Sequence, residues 1–177
     1  MTSRLPWRRS AVPAVLQNRV LLKRGEKILG WSWLPSQGWA VATAEALLVV
    51  GPGLGSDEAP LRLPWHLVTS AVWAEGALEV VAAPAPRTRP ETYRLEITEE
   101  GLLAEAVNTL VTGSVVWSQR VDERPTAAAL ISVRRAPDNE LLWSVVFDKG
   151  FDANDPRLRE WADERIAVLK QQTGLEG

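Results

Sequence analysis

The stretch LRLPWHLVTSAVWAEGALEVVA, residues 61–82, decides the fold of this chain. From Trp65 to Trp73 apolar or small residues recur at every second position, which is the period of a strand with one buried face. A turn at Gly76 follows, and the chain then continues as a second apolar run. The stretch therefore predicts an antiparallel hairpin.

The same pattern of short apolar runs continues on both sides of this hairpin. Short apolar runs separated by a few turn residues are typical of an antiparallel meander, in which each strand pairs with its neighbour in sequence. The predicted strands cover residues 26–35, 39–43, 46–50, 65–73, 77–82, 92–97, 114–121, 127–134 and 140–147. Since strands and helices do not alternate, the sequence predicts an antiparallel α+β fold rather than a parallel sheet.

Two helices complete the predicted elements. Thr98 is a good N-cap for a helix that ends near Gly113. Asp155 caps the last helix, and Pro156 occupies its first position, where the missing N–H costs nothing. We expect about seven to nine strands and two helices, the second one C-terminal.

The length fits one folded unit with a short appendage. We expect residues 1–25 to form an N-terminal tail or short helix, and residues 26–177 to form a single α+β domain.

The composition removes several kinds of chemistry. The 177 residues include nine tryptophans, one histidine and no cysteine. Without a thiol there is no disulfide and no thiolate metal site, and only His66 could serve a serine–histidine–acid triad. The glycines of Gly51-Pro-Gly-Leu-Gly55 do not have the spacing of a phosphate-binding loop. The sequence therefore predicts no catalytic residues and no cofactor.

Charge and hydropathy bear on partners and location. The net charge of −2 comes from acidic and basic residues spread along the chain, which argues against nucleic acid as a partner. No signal peptide and no apolar run of membrane-spanning length is visible, so we expect a cytoplasmic protein without integral membrane association.

Three tryptophans are candidate partner-binding or ligand-binding residues. Most of the others, such as Trp31 and Trp33, occupy alternate strand positions that favour the core. Trp39 lies beside a turn, and Trp117 and Trp143 lie in late strands that flank the last helix. Exposed aromatic side chains of this kind often form the centre of an interface.

Polar clusters late in the chain give weaker indications of a functional site. Asp148, Asp152 and Asp155 are the candidate metal ligands, but the alternation of a calcium loop is absent and Asp155 is explained as a helix cap, so no metal is predicted. Arg134 and Arg135 are neighbours in a strand and point to opposite faces, so we expect solvated or salt-bridged roles rather than a shared anion site.

Two segments carry a resemblance to known proteins. Together, LPWHLV at residues 63–68 and VVWS at residues 115–118 resemble an uncharacterised family of small cytoplasmic proteins from high-GC actinobacteria. The first segment is also similar to bacterial pleckstrin-homology-like domains, which implies a partly open antiparallel barrel. The resemblance brings no established activity, so it assigns no functional residue.

The leading hypothesis is a non-catalytic binding or interaction module for a protein partner or a small apolar ligand. One alternative is a carboxylate-dependent enzyme, in which His66 shares a cleft with residues 148–155. Another is peripheral membrane binding through the basic N-terminus, which contains Trp7 beside Arg4, Arg8 and Arg9. The oligomeric state stays open.

Overall fold

The chain forms an antiparallel α+β structure, as predicted. The computed structural model describes residues 12–13, 16, 22–36, 38–51, 59–82, 90–97 and 101–175. Within this part there are ten strands and two α-helices, the second one C-terminal. The strands are β1 (Ile28–Leu34), β2 (Gly38–Thr43), β3 (Ala46–Val50), β4 (Leu61–Pro64), β5 (Val68–Ala74), β6 (Ala77–Ala82), β7 (Glu91–Glu96), β8 (Val115–Glu123), β9 (Ala127–Arg135) and β10 (Leu141–Phe147). The helices are α1 (Gly101–Gly113) and α2 (Pro156–Thr173).

The strands form three separate meanders. The first sheet has the order β1-β2-β3-β4, the second β5-β6-β7, and the third β8-β9-β10. Every pairing is antiparallel and joins strands that are neighbours in sequence. The helix α1 follows the second sheet, and α2 follows the third.

The prediction of a strand from residue 65 onwards is wrong at its start. Residues Trp65–Leu67 form a 3-10 helix, and β5 begins only at Val68. The indole of Trp65 donates to the carbonyl oxygen of Thr43 at 2.8 Å, which holds the chain at the end of the first sheet. The preceding Pro64 has no N–H to continue a ladder of hydrogen bonds. The interruption is where the chain leaves the first sheet for the second.

The main core lies between the first sheet, the second sheet and α1. Its members are apolar side chains that lose nearly all their contact with solvent, which is the dominant favourable term in folding. They are Leu34, Ala40, Ala42, Leu47, Leu63, Trp65, Val68, Leu78, Val80, Ala82, Leu95, Ile97, Leu103 and Val107.

A second apolar cluster covers the opposite face of the first sheet. Val41, Leu48 and Val50 pack there with Leu16, which is fully buried although it precedes the first strand. Both faces of this sheet are therefore occupied, in agreement with the unbroken apolar run of β3.

The third sheet packs against α2. Ala127 and Ala129 of β9 contact the helix side chains Leu158, Trp161 and Ala162. The ends of α2 match the sequence prediction, because Asp155 caps its first turn by accepting from the Arg157 N–H at 2.9 Å.

Arg134 joins the third sheet to the rest of the molecule. Its side chain is only 5% exposed. It donates to the Val111 carbonyl oxygen at the end of α1 (2.8 Å), to the Ser114 hydroxyl, and to the Thr69 carbonyl oxygen in β5 (3.3 Å). The expectation of a solvated or salt-bridged Arg134 is therefore wrong; a guanidinium at a helix C-terminus is stabilised by carbonyl oxygens and the helix dipole.

Some predictions fall on other parts of the chain. The basic N-terminus with Trp7, the Thr98 cap and the glycines at 53 and 55 lie outside the described residues. No helix in the part of the chain that the structure describes is long and apolar enough to cross a membrane.

Candidate functional site

Three tryptophans meet on the outer side of the β1–β2 hairpin. Trp33 pairs with Trp39 across the hairpin, and their rings meet edge to face with centroids 4.9 Å apart. Trp31 meets Trp39 in the same manner at 5.6 Å. We call these three residues the aromatic cluster. The prediction of a core position for Trp33 is wrong, because its side chain is 39% exposed.

Gly38 holds the aromatic cluster in place. Its φ of +99° lies in the region that side chains avoid, and a Cβ there would overlap the Val50 carbonyl oxygen. The glycine thus lets β2 begin directly against the end of β3, and Trp39 is the next residue. The hairpin register that pairs Trp33 with Trp39 follows from the short turn between them, so the sequence could have placed the two tryptophans side by side, but not the exposure of Trp33.

The other two candidate tryptophans form a separate pair. Trp117 and Trp143 are both register partners of Val133, one on each side, and their centroids lie 5.8 Å apart. Both are partly buried. They occupy the face of the third sheet that carries Ala129 and α2, because alternate residues of β9 share a face. The Trp143 indole N–H is buried and has no hydrogen-bond partner among the described residues.

The three candidate metal ligands have separate local roles. Asp148 accepts from Arg120 and, at 2.7 Å, from Arg124. Asp152 accepts from a backbone N–H two residues on, and Asp155 is the cap of α2. In residues 101–175 and the other described ranges, no three His, Cys, Asp or Glu side chains are grouped closely enough to hold a metal ion.

His66 lines a surface cleft of about 540 Å³. The cleft lies where the 3-10 helix, the end of α1 and the β9–β10 turn meet, and Glu45, Arg135 and Asn139 also line it. We call it the His66 cleft. Partial burial lowers the pKa of His66, although the charges of Asp138 and Glu140 act in the opposite direction.

The structure does not bring His66 together with residues 148–155. The cleft is bordered by the turn that precedes β10, whereas Asp148 follows the last residue of that strand. Seven residues of strand separate these two ends by about 20 Å. The shared cleft that the enzyme hypothesis requires is therefore absent from the described part of the chain.

A charged network lies beside this cleft and was not predicted. The Glu26 side chain is fully buried and accepts from Arg62 at 2.8 Å, from the Lys23 N–H at 3.0 Å, and from Thr43. Burial raises the pKa of Glu26, but these hydrogen bonds together outweigh it and hold the pKa below its usual value. Glu45 accepts from Lys23 at 2.7 Å and from Arg62 at 3.2 Å. Both carboxylates are therefore paired with cations. The network was not predicted because Arg62 is distant in sequence from Glu26 and Glu45, and no local pattern connects them.

Comparison with known proteins adds no relative. No protein-family profile, no curated protein and no solved structure matches this chain.

Proposed function

We propose that this chain is a non-catalytic interaction module of the pleckstrin-homology-like type, and that it binds a protein partner through the aromatic cluster. The order of elements supports this type: four strands, three strands and then a helix enclose one core in residues 28–113. A fold alone does not supply a function, which depends on the groups that the surface presents.

The exposed indole of Trp33 carries the proposal. The apolar surface of an exposed indole costs free energy in water. Tryptophan is also enriched among the residues that dominate binding energies. Trp33 lies in a paired strand and packs against Trp39, so its side chain is already ordered before binding. A pre-ordered aromatic side chain loses little conformational entropy on association.

The position of the aromatic cluster favours a protein over a small apolar ligand. Trp33 lies on the face of the first sheet that also carries the second apolar cluster, and its side chain stays 39% exposed there rather than entering a cavity. The space between the first two sheets is occupied by side chains such as Leu47, Leu63 and Leu78, which are fully buried. The enzyme alternative gains no support, since His66 and residues 148–155 lie apart.

The test compares Trp33→Ser with the control Val72→Ser. Val72 is an exposed apolar residue (54%) in the second sheet and does not belong to the aromatic cluster. Tagged wild-type and variant proteins are used as baits in a lysate of the source organism, and bound proteins are quantified by isotope-labelled mass spectrometry. A protein captured by the wild type is then purified, and its Kd is measured by calorimetry.

We expect a stoichiometric protein that the wild type and Val72→Ser retain and Trp33→Ser loses. With purified components, Trp33→Ser should weaken binding by about thirtyfold, which corresponds to about 2 kcal/mol. Equal retention by all three baits, or equal loss in both variants, would contradict the proposal. Thermal unfolding of each variant shows that a loss of binding is not a loss of fold.

A further inference from the structure

We propose that the His66 cleft binds a small organic monocarboxylate, with Arg135 and His66 as the groups that hold the carboxylate. This site is separate from the aromatic cluster. The cleft is lined by Ala44 and Glu45 just after the end of β2, whereas Trp39 lies at the start of that strand. The two places are about 17 Å apart along the strand.

The backbone on both sides of the cleft is fixed. The Arg135 N–H donates to the Ser114 carbonyl oxygen at 3.0 Å, and the neighbouring Arg134 is anchored to the end of α1. On the other side, the Trp65 N–H donates to the Glu45 carbonyl oxygen at 3.1 Å, and the Trp65 indole is anchored to Thr43. The backbone that carries Arg135 and His66 is therefore already ordered, so binding a ligand needs to order only their side chains.

The two proposed binding groups have no other role among the described residues. No ion pair or hydrogen bond joins the Arg135 guanidinium or the His66 imidazole to a side chain in that part of the protein. Glu45, the one carboxylate among the described residues that line the cleft, already accepts from Lys23 and Arg62. A guanidinium presents two parallel N–H groups that match a carboxylate, and a neutral imidazole supplies one further donor.

The size and walls of the cleft fit a ligand with an apolar body. Its volume of about 540 Å³ lies inside the range of about 300–1,000 Å³ found for small-molecule sites. Trp65, Leu110 and Pro137 line it beside the polar groups. An apolar wall with a few convergent polar groups is the usual composition of such sites.

The surrounding charges favour a singly charged anion. Glu45 lines the cleft, and Asp138 and Glu140 are close enough to act on His66. The end of α1, which also borders the cleft, carries the negative pole of the helix dipole. Lys23 is a cation that also acts on His66, but the three carboxylates and the helix pole outnumber it. Because these negative groups oppose a phosphate dianion more strongly than a carboxylate, we expect the cleft to discriminate against phosphate esters.

His66 provides a specific probe, because it is the only histidine of the chain. The experiment follows its carbon-bound imidazole proton by NMR at pH 7.5 and constant ionic strength, during titration with benzoate, benzamide or phenyl phosphate. We expect a saturable shift with benzoate, none with uncharged benzamide, and weaker binding of phenyl phosphate. Binding of phenyl phosphate at least as tight as that of benzoate would replace the carboxylate assignment by a phosphate one.

Two arginine variants test the assignment. Arg135→Gln should weaken benzoate binding at least tenfold. Arg157→Gln is the matched control, because Arg157 is likewise exposed and makes no side-chain ion pair with the described residues, but lies at the start of α2. The proposal is overturned by a shift that does not saturate, by equal shifts with benzamide, or by equal weakening in both variants. Trp33→Ser should leave benzoate binding unchanged, so failure of this site and failure of the protein interface are separate results.

Discussion

The carboxylate of Glu26 stays ionised inside the protein because donors surround it. Its side chain has no solvent exposure, and Arg62, Thr43 and the Lys23 N–H all donate to it. Removing one partner of a buried charged pair leaves the other partner without compensation. The residue thus links the turn before β1 to β2 and β4.

We predict that Glu26→Gln lowers the free energy of unfolding at pH 7 by about 2 kcal/mol, since hydrogen bonds to charged groups contribute about 1.5–3 kcal/mol. The pKa of Glu26 is lowered by folding, so its stabilising contribution is present above the unfolded pKa near 4.5 and is lost as the pH falls through the folded pKa. The difference in the free energy of unfolding between wild type and Glu26→Gln should therefore become smaller on acidification. Urea unfolding at pH 7 and below pH 4.5 measures it. Glu79→Gln, which removes a half-exposed ion pair with Arg94, should cost less than about 1 kcal/mol. A difference in the free energy of unfolding that stays constant with pH would contradict the stabilising role of the ionised Glu26 carboxylate.

Single side chains were the hardest feature to predict from the sequence. Period-two alternation assigns Trp33 to a face of β1 but does not tell whether anything covers that face. Arg134 was misassigned because its partners, Val111 and Thr69, come from other elements and leave no local pattern. Trp39, beside a turn, is partly buried and packs against the second apolar cluster, so its role in binding stays a prediction.

At the scale of elements, helix ends were predictable because their signals are local. Asp155 accepts from the Arg157 N–H, and Gly174 ends α2 with a φ of +67°. The 3-10 helix Trp65–Leu67 was not predictable, because its apolar residues keep the same alternation while the chain passes from one sheet to the next. An alternation of apolar residues indicates which side chains are buried, and side chains are buried in the 3-10 helix as well as in the strand.

We predict that Asp155→Ala lowers the stability of the protein by about 1 kcal/mol, because the first turn of α2 loses its side-chain acceptor. Thermal or urea unfolding measures the change. Asp152→Ala is the control, since among the described residues the carboxylate of Asp152 accepts only from an exposed turn N–H before the helix. Equal losses in the two variants would show that capping of α2 is not the cause.

At the scale of the whole molecule, a few polar contacts connect the third sheet to α1 and to the second sheet. Arg134 in β9 reaches both the end of α1 and β5. The fold class and the meander pairing followed from the sequence, because each hairpin is encoded by adjacent residues. The packing of the third sheet against the rest of the molecule did not, since it depends on contacts between residues as far apart as 69 and 134.

We predict that Arg134→Met lowers stability by about 2–4 kcal/mol, because the partly buried carbonyl oxygens of Val111 and Thr69 lose their donor. Hydrogen exchange should show faster opening at the end of α1 and in β5, with little change in the second half of α2. Arg157→Met, an exposed arginine in α2, serves as the control. Uniform acceleration across the chain in Arg134→Met would indicate global destabilisation and contradict a local connecting role.

The meander order has a consequence for how the chain folds. Because every strand pairs with a neighbour in sequence, the loops that must close are short, and their entropic cost is small. Low sequence separation between contacts is associated with fast folding among small proteins. The first core needs nothing beyond residue 113, so a nascent chain can complete it while the third sheet is still being synthesised. Residues 114–175 can then fold against a finished surface, which Arg134 contacts at the end of α1 and in β5.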